Sequence, residues 1–300
     1  MTRVRGVVAA SLAAVVVATG LTACQPPASP YDTAIFGDVP YSSSAVSSYV
    51  SMISDINAAG MTFSTHLGDI KNADATCTES ILSTETARFD TFTSPLVYTP
   101  GDNEWLDCDD PLFWLGRIRS VAFRGTGTLS RGVTPMALAS QVSADYPENA
   151  RWSRAAVTFA TLHVVGGGDN QGDAEGKARR TAVIAWLRAA FEAARSAGHR
   201  GVVLLAQDSP FNGDGTVSNA YSNLVQTLRE ETLAFSGQVL WIQGDGHRFI
   251  DDRPMKTTGG EVVQSFRRIQ VEGDSRVSYV RLHVDPGGST LFTTTLSKRY

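Results

Sequence analysis

The chain has 300 residues, a formal net charge of −4 and no run rich in Lys or Arg. That balance disfavours nucleic-acid binding and a polybasic membrane-surface role. Beyond the N-terminus, no apolar stretch is long enough to span a bilayer.

The first predicted element is a targeting segment. Arg3 and Arg5 give a positive start, and an apolar stretch runs from Val7 to about Gly20. It is shorter than the roughly 20 residues of a spanning helix, and its flanks match an export signal. Leu21-Thr22-Ala23-Cys24 resembles the bacterial lipoprotein cleavage box, which makes Cys24 the expected lipidation site and residues 1–23 the signal peptide. An ordinary secretory signal cut near Ala23 is the alternative. Residues 24–31, with Gln25-Pro26-Pro27-Ala28-Ser29-Pro30, read as a short disordered tether, and 32–300 as one domain. Without Arg3 and Arg5, 24 basic residues face 30 acidic ones. The expected location is outside the cytoplasm, with the chain held to the cell envelope by lipid.

From there, strand and helix patterns alternate. A strand ends at Asp38, and a helix over Ser44–Ala59 stops at Gly60. A strand follows over Met61–Leu67, then a helix over Cys77–Phe92 and a strand over Pro95–Thr99. The clearest helix spans Ala178–Ala197. Its apolar positions Val183, Trp186, Leu187, Ala190, Phe191 and Ala194 recur at helical spacing, and Gly198 stands at the C-terminal cap position. Val202–Leu205 is an unbroken apolar run, as in a strand buried on both faces. A helix over Ser218–Phe235 and a strand over Val239–Ile242 come next. Arg267–Val271, Val277–Val284 and Thr290–Leu296 then read as strands without intervening helices, which points to mixed rather than purely parallel sheets.

Five of these runs stop at carboxylates, amides or histidine: Gly37-Asp38, Gly68-Asp69, Gly101-Asp102-Asn103-Glu104, Gln207-Asp208 and Gly244-Asp245-Gly246-His247. In open α/β sheets, ligands bind beyond the carboxyl ends of the strands. Carboxylates gathered there repel one another unless a cation lies between them, so the pattern points to metal-dependent chemistry.

Taken in order, these segments resemble the calcineurin-like metallophosphoesterase superfamily, which carries Asp-x-His, Gly-Asp, Gly-Asn-His-Asp/Glu, a lone His after a strand, and Gly-His-x-His. Gly37-Asp38-Val39-Pro40-Tyr41 and Thr99-Pro100-Gly101-Asp102-Asn103-Glu104-Trp105 also resemble a divergent exported branch of it. The resemblance implies an α/β fold, a four-layer α/β/β/α sandwich of two mixed sheets flanked by helices. It implies hydrolysis of a phosphomonoester or phosphodiester on a phosphorylated small molecule or an envelope phosphoester. It also implies one or two divalent cations, with Asp69 bridging.

The departures from that pattern are specific. Pro40 stands where the first His belongs, Asp102 in place of Asn, Gln207 in place of the lone His, and Asp245 in place of the first His of the last motif. The expected metal shell is thus Asp38, Asp69, Asp102, Gln207, Asp245 and His247. Oxygen-rich shells suit Mg²⁺, Mn²⁺ or Ca²⁺ better than Zn²⁺. Asn103 occupies the position of the family's proton-donating His, and with Asn72 of the second motif it is the candidate catalytic amide. An amide donates a hydrogen bond but does not transfer a proton here. A catalytically reduced relative that binds metal, phosphate or an envelope ligand is therefore the alternative function.

Other candidates have weaker contexts. Asn170, after Gly166-Gly167-Gly168-Asp169, and Arg151, before Trp152, are candidate substrate contacts; a surface turn and a stacked structural contact compete with them. Trp105 walls the pocket or fills the core. His66 and His163 fit core positions in strands, His199 an exposed helix end, and His283 a late strand. Cys77 and Cys108 are the expected disulfide in an oxidising compartment, with two unpaired buried thiols as the alternative.

Overall fold

The computed structural model describes residues 28–300 apart from Gln171 and Gly213. The expected signal peptide and Cys24 lie outside the described residues.

In chain order the elements are β1 (Tyr31–Phe36), α1 (Ser43–Ala58), β2 (Ser64–His66), α2 (Glu79–Phe89), β3 (Leu96–Tyr98), α3 (Pro111–Val121), β4 (Ala139–Gln141), β5 (Tyr146–Arg154) and β6 (Val157–Thr161). There follow α4 (Ala174–Ser196), β7 (Gly201–Leu205), α5 (Ser222–Ala234), β8 (Gln238–Gln243), β9 (Ile250–Asp252), β10 (Phe266–Gln270), β11 (Val280–Val284) and β12 (Phe292–Leu296). The five-stranded sheet has the order β12-β11-β1-β2-β3, and the seven-stranded sheet β4-β5-β6-β7-β8-β10-β9. Both are mixed: β1, β2 and β3 are parallel while β11 is antiparallel to β1, and β6, β7, β8 and β10 are parallel while β5 is antiparallel to β6.

Alternation along the strands builds the expected four layers. In β7, Val203 and Leu205 face the core between the sheets, while Val202 and Leu204 face α4 and α5. In β8, Leu240 and Ile242 face inward between the sheets, and Val239 and Trp241 outward under the helices. In β1, Ile35 joins the inter-sheet core, and Ala34 and Phe36 the layer under α1, α2 and α3. Period-two alternation with both faces apolar is what makes these strands read as unbroken apolar runs.

Several boundaries differ from the sequence expectation. β1 opens at Tyr31, a residue assigned to the tether; the ring is buried and its hydroxyl bonds the Arg154 carbonyl at 3.2 Å. The helix expected from Cys77 begins at Glu79, capped by the Thr78 side chain, because Cys77 is held in a loop. β6 stops at Thr161, so His163 lies just past the strand rather than within it. The last three strands do not form one run, since β10 belongs to the seven-stranded sheet and β11 and β12 to the other.

Candidate functional site

The parallel strands deliver their C-terminal loops to one region between the two sheets. Asp38 follows β1, Asp69 follows β2, Asp102 follows β3, Gln207 follows β7, and Asp245 and His247 follow β8. Four of these residues turn through positive φ: Asp38 (56°), Asp69 (58°), Asp245 (62°) and His247 (52°). That left-handed turn bends the chain sharply enough to aim each side chain back over the strand end, and among non-glycine residues Asp and His are enriched there.

Glycines let the loops meet. A Cβ on Gly244 would lie 2.3 Å from Asp38 Oδ2, and one on Gly166 would lie 2.5 Å from Asp102 Oδ2. Each of these carboxylates is thus laid directly against the backbone of a neighbouring loop, which only glycine allows.

Asp69 is the hub. Its Oδ2 accepts from the Tyr41 hydroxyl at 2.8 Å and from Gln207 Nε2 at 3.2 Å, and its Oδ1 accepts from the Asn103 backbone N–H at 3.3 Å. Gln207 Nε2 also reaches Asp245 Oδ1 at 3.3 Å. Asp38 Oδ1 accepts from the Asp245 N–H at 3.0 Å and lies 3.4 Å from His247 Nε2. One connected network therefore joins Asp38, Asp69, Asp245, Gln207 and His247, with Asp102 against Gly166 beside it.

The Gln207 amide has only one possible orientation here. Its Oε1 lies 2.7 Å from the Gly166 N–H, an obligatory donor, so the NH₂ end must face the carboxylates. The residue expected to ligate metal through oxygen instead offers two N–H bonds to Asp69 and Asp245. Among the described residues, no group of three or more His, Cys, Asp or Glu is arranged to hold a metal ion; hydrogen-bond donors separate the carboxylates.

Fixed positive charge nearby is scarce. His247 is partly exposed, with its pKa raised through its bond to Asp38. Lys71 is buried, and its Nζ is turned onto the Asn72 carbonyl at 3.0 Å; burial holds its pKa below the usual lysine value. The carboxylates respond as a crowded acidic cluster should. Burial pushes Asp38 up to about 6 and Asp102 to about 7, with the charge of Asp245 adding to both. Asp69 is raised well above the carboxylate range by burial and then by Asp38, Glu104 and Asp102. Asp38 Oδ2 and Asp102 Oδ1 are buried and accept no hydrogen bond.

Two residues absent from the expected shell organise it. Glu104 is buried; its Oε1 accepts from the Tyr98 hydroxyl at 2.6 Å and the Gly101 N–H at 2.8 Å, and both its oxygens lie near the Asp69 N–H. It fastens the loops after β2 and β3 to each other. Tyr41 donates to Asp69 and receives a 3.0 Å bond from Asn103 Nδ2. Its place after Pro40, three residues beyond Asp38, is the available clue. Tyr41→Phe is expected to cost about 1–3 kcal/mol, as for a buried acceptor left without its partner. The check is the thermal midpoint of the metal-free protein, and an unchanged midpoint would show that the hydroxyl carries no weight.

The other candidates are placed differently. Asn103 is at the network, with its Nδ2 shared between Tyr41 and the Lys71 carbonyl. Asn72 is not: its Nδ2 bonds the Tyr41 carbonyl and its Oδ1 the Ala75 N–H, so the side chain ties loops together. Arg151, expected at the substrate, packs on α4, stacked 5.0 Å from the Trp186 ring centroid and bonded to the Ala189 carbonyl. Sequence adjacency to Trp152 suggested a stacked pair, but strand alternation sends the two to opposite faces. Asn170 ends a tight turn over Gly167–Asn170 and has positive φ; no hydrogen bond joins its side chain to the network among the described residues. Trp105 is buried, with Arg179 over its ring. His66 is buried and ties the Val39 carbonyl to the Gly68 N–H. His163 is buried and bonded to Glu148. His199, expected to be exposed, is half-buried against the Thr158 hydroxyl. Cys77 and Cys108 form a disulfide with a Cα–Cα distance of 5.8 Å.

No protein family's sequence profile matches the chain, and no curated protein is detectably similar in sequence. Solved structures do match. A dimetal phosphatase from Danio rerio (LOC 393393) superposes with a TM-score of 0.57 at 14% identity, covering 88% of this chain and 98% of that one. GAP50, the anchor in the inner membrane complex of Plasmodium, superposes with a TM-score of 0.52 at 10% identity, covering 91% and 90%. The two mixed sheets with flanking helices are therefore a fold this chain shares with both proteins.

Proposed function

We propose that the protein is a metal-dependent phosphoester hydrolase whose centre is the carboxylate network around Asp69. The carrying observation is the excess of buried carboxylate over fixed positive charge at the strand ends of this fold. Carboxylates so placed must take up protons or a cation. The donor set fits a hard divalent ion: the acceptors are carboxylate oxygens, and two of them are buried without a partner. Asp38, Asp69, Asp102 and Asp245 would supply the oxygens, with His247 at the solvent side; among the described residues no three of these groups already surround one point, so holding an ion requires the side chains to draw together in place of the donors between them. The orientation of Gln207 opposes a second ion between Asp69 and Asp245, and favours a single Mg²⁺, Mn²⁺ or Ca²⁺ over a zinc pair.

A bound divalent ion supplies an activated water and offsets charge on the phosphoryl group. The chain's own residues position and hold. Tyr41 and Gln207 fix the Asp69 carboxylate, and Glu104 fixes the two loops that carry Asp69 and Asp102. Both N–H bonds of Asn103 are taken by Tyr41 and the Lys71 carbonyl, and an amide transfers no proton, so substrates with good leaving groups are favoured. Export and lipid attachment at Cys24 complete the proposal and would place the enzyme on the envelope, acting on a phosphorylated small molecule or envelope phosphoester.

The second reading is binding without turnover. It is favoured by Pro40, Asn103 and Gln207, and the fold accommodates it, since one structural neighbour is described as an anchor and another as a phosphatase. Elemental analysis before and after chelation, with aryl phosphate mono- and diesters assayed against Mg²⁺, Mn²⁺, Ca²⁺ and Zn²⁺ in turn, separates the two. The hydrolase reading expects about one hard ion per chain and ion-dependent turnover. A tightly held ion with no turnover for any ester leaves the binding reading, and stoichiometric zinc overturns the choice of ion.

A further inference from the structure

Two clefts bear on where a substrate could sit. The larger, about 690 Å³, is lined by Arg200, Gln238 and Ser265 at the N-terminal ends of β7, β8 and β10, opposite the carboxylate network. The other, about 380 Å³, lies between the loops after β7 and β8 and includes Asp245 in its wall. It adjoins the network and is of a size that takes a small organic molecule.

We propose that this second cleft binds the organic part of a phosphoester, and that Arg248 at its lip binds the phosphoryl group beside Asp245. The proposal rests on the hydrolase reading and names its substrate class: phosphomonoesters of a small, polar alcohol that carries no negative charge.

Arg248 and Arg268 both line the cleft, but they are engaged differently. Arg268 is buried and fully occupied. It forms a two-pronged pair with Asp252 and bonds the carbonyls of Phe211 and Asn212, so it is part of the wall. Arg248 is exposed, and its guanidinium has no hydrogen bond or ion pair among the described residues. Its backbone is nonetheless fixed, because Gln270 Nε2 bonds its carbonyl at 2.9 Å. An anchored backbone with an unengaged guanidinium, one turn of chain from Asp245, suits two-pronged recognition of a phosphoryl group.

The remaining wall bears on the other half of the ligand. The Ser218 hydroxyl has no partner among the described residues and suits a hydroxyl-bearing ligand, whereas Asn212, Tyr221 and Gln270 are already bonded to Thr216, to Asp208 and the Val165 carbonyl, and to the Arg248 carbonyl and Gln243. Asp208, bonded to Ser209 N–H and the Tyr221 hydroxyl, shares the wall with Asp245. Two acidic side chains facing one cleft disfavour an anionic organic group, and they make a cationic partner such as Arg248 necessary for phosphate.

Calorimetric titration of the full-length protein with inorganic phosphate and with glycerol 1-phosphate, in saturating Mg²⁺, tests both halves. Arg248→Ala is expected to weaken both ligands about tenfold or more, with Arg248→Lys recovering part of the loss. Ser218→Leu narrows the cleft and is expected to weaken glycerol 1-phosphate while leaving inorganic phosphate unchanged. Equal binding of both ligands by wild type and Arg248→Ala, no effect of Ser218→Leu on glycerol 1-phosphate, or no binding by wild type would each overturn the proposal. Arg248-dependent binding without hydrolysis of any ester would support the cleft and overturn the hydrolase reading, so the two fail separately.

Discussion

Asp69→Asn is expected to abolish ion-dependent phosphoesterase activity, by about 10²–10³-fold or more, and to flatten the pH dependence of stability in the chelated protein. The first effect follows from position. Asp69 receives Tyr41, Gln207 and the Asn103 N–H at once, so the loops after β1, β2, β3 and β7 all converge on its carboxylate. The second follows from linkage. Asp38, Asp69 and Asp102 have folded-state pKa values above their unfolded ones, so the folded protein holds protons that the unfolded chain releases. The contribution of these three carboxylates is then highest below pH 4, where both states are protonated, and falls as pH rises through about 6 for Asp38 and about 7 for Asp102; buried His66, held neutral down to about 3, and Glu148, held charged down to about 2, act in the opposite direction. For Asp38 alone a shift of that size corresponds to about 3 kcal/mol. Saturating divalent ion should remove most of the decline, because an ion that binds only the folded state opposes it. Urea melts of wild type and Asp69→Asn between pH 4 and 8, with chelator and with Mg²⁺, read all of this. Chelated wild type that loses no stability relative to Asp69→Asn as pH rises would sink the account, as would activity retained by Asp69→Asn.

Loss of the Cys77–Cys108 bridge is expected to lower the thermal midpoint by roughly 10 °C. The cysteines are 31 positions apart, and closing a loop of that length in the unfolded chain contributes about 3–4 kcal/mol. For a domain of this size each kcal/mol moves the midpoint by about 2–4 °C. The bridge also has a local role. Both sulfurs lie within 4.0 Å of the Asn103 carbonyl, so the crosslink braces the turn that carries Asp102, Asn103 and Glu104. Calorimetry of oxidised protein, reduced protein and the Cys77→Ser/Cys108→Ser variant reads the effect. Coincident midpoints would show that packing alone holds this turn.

The layer architecture was legible because β1, β7 and β8 alternate between two apolar faces and each ends at a polar turn. β5 was hidden for the opposite reason. Tyr146-Pro147-Glu148-Asn149 has no apolar period, yet Glu148 and Asn149 are fully buried, Glu148 paired with Arg119 and hydrogen-bonded to His163, Asn149 bonded to Gln141 and the His163 N–H. Helix α3 is marked only at its start, where Asp110 caps it and Pro111 stands in its first turn. In the site, the carboxylates announced themselves by their turns, whereas the roles of Tyr41 and Gln207 depend on partners 28 and 138 positions away. The orientation of Gln207 is set by the Gly166 N–H, and no spacing within the chain encodes that encounter. Arg151 packs on α4 rather than at the site because neighbouring residues in a strand point to opposite sides of the sheet.

The left-handed turns at Asp38, Asp69, Asp245 and His247 carry an evolutionary consequence. Each places a side chain where the backbone would rather have none, at a cost on the order of 1–2 kcal/mol. Glycine at any of them would relax the backbone, but at Asp38 and Asp69 it would also strip the acceptors of the Asp245 N–H, Tyr41, Gln207 and the Asn103 N–H. A library selected for heat resistance alone should therefore drift to glycine at Asp245 and His247, the more exposed of the four, yielding hardier proteins with a depleted centre. Wherever these residues persist against that drift, something other than folding is retaining them.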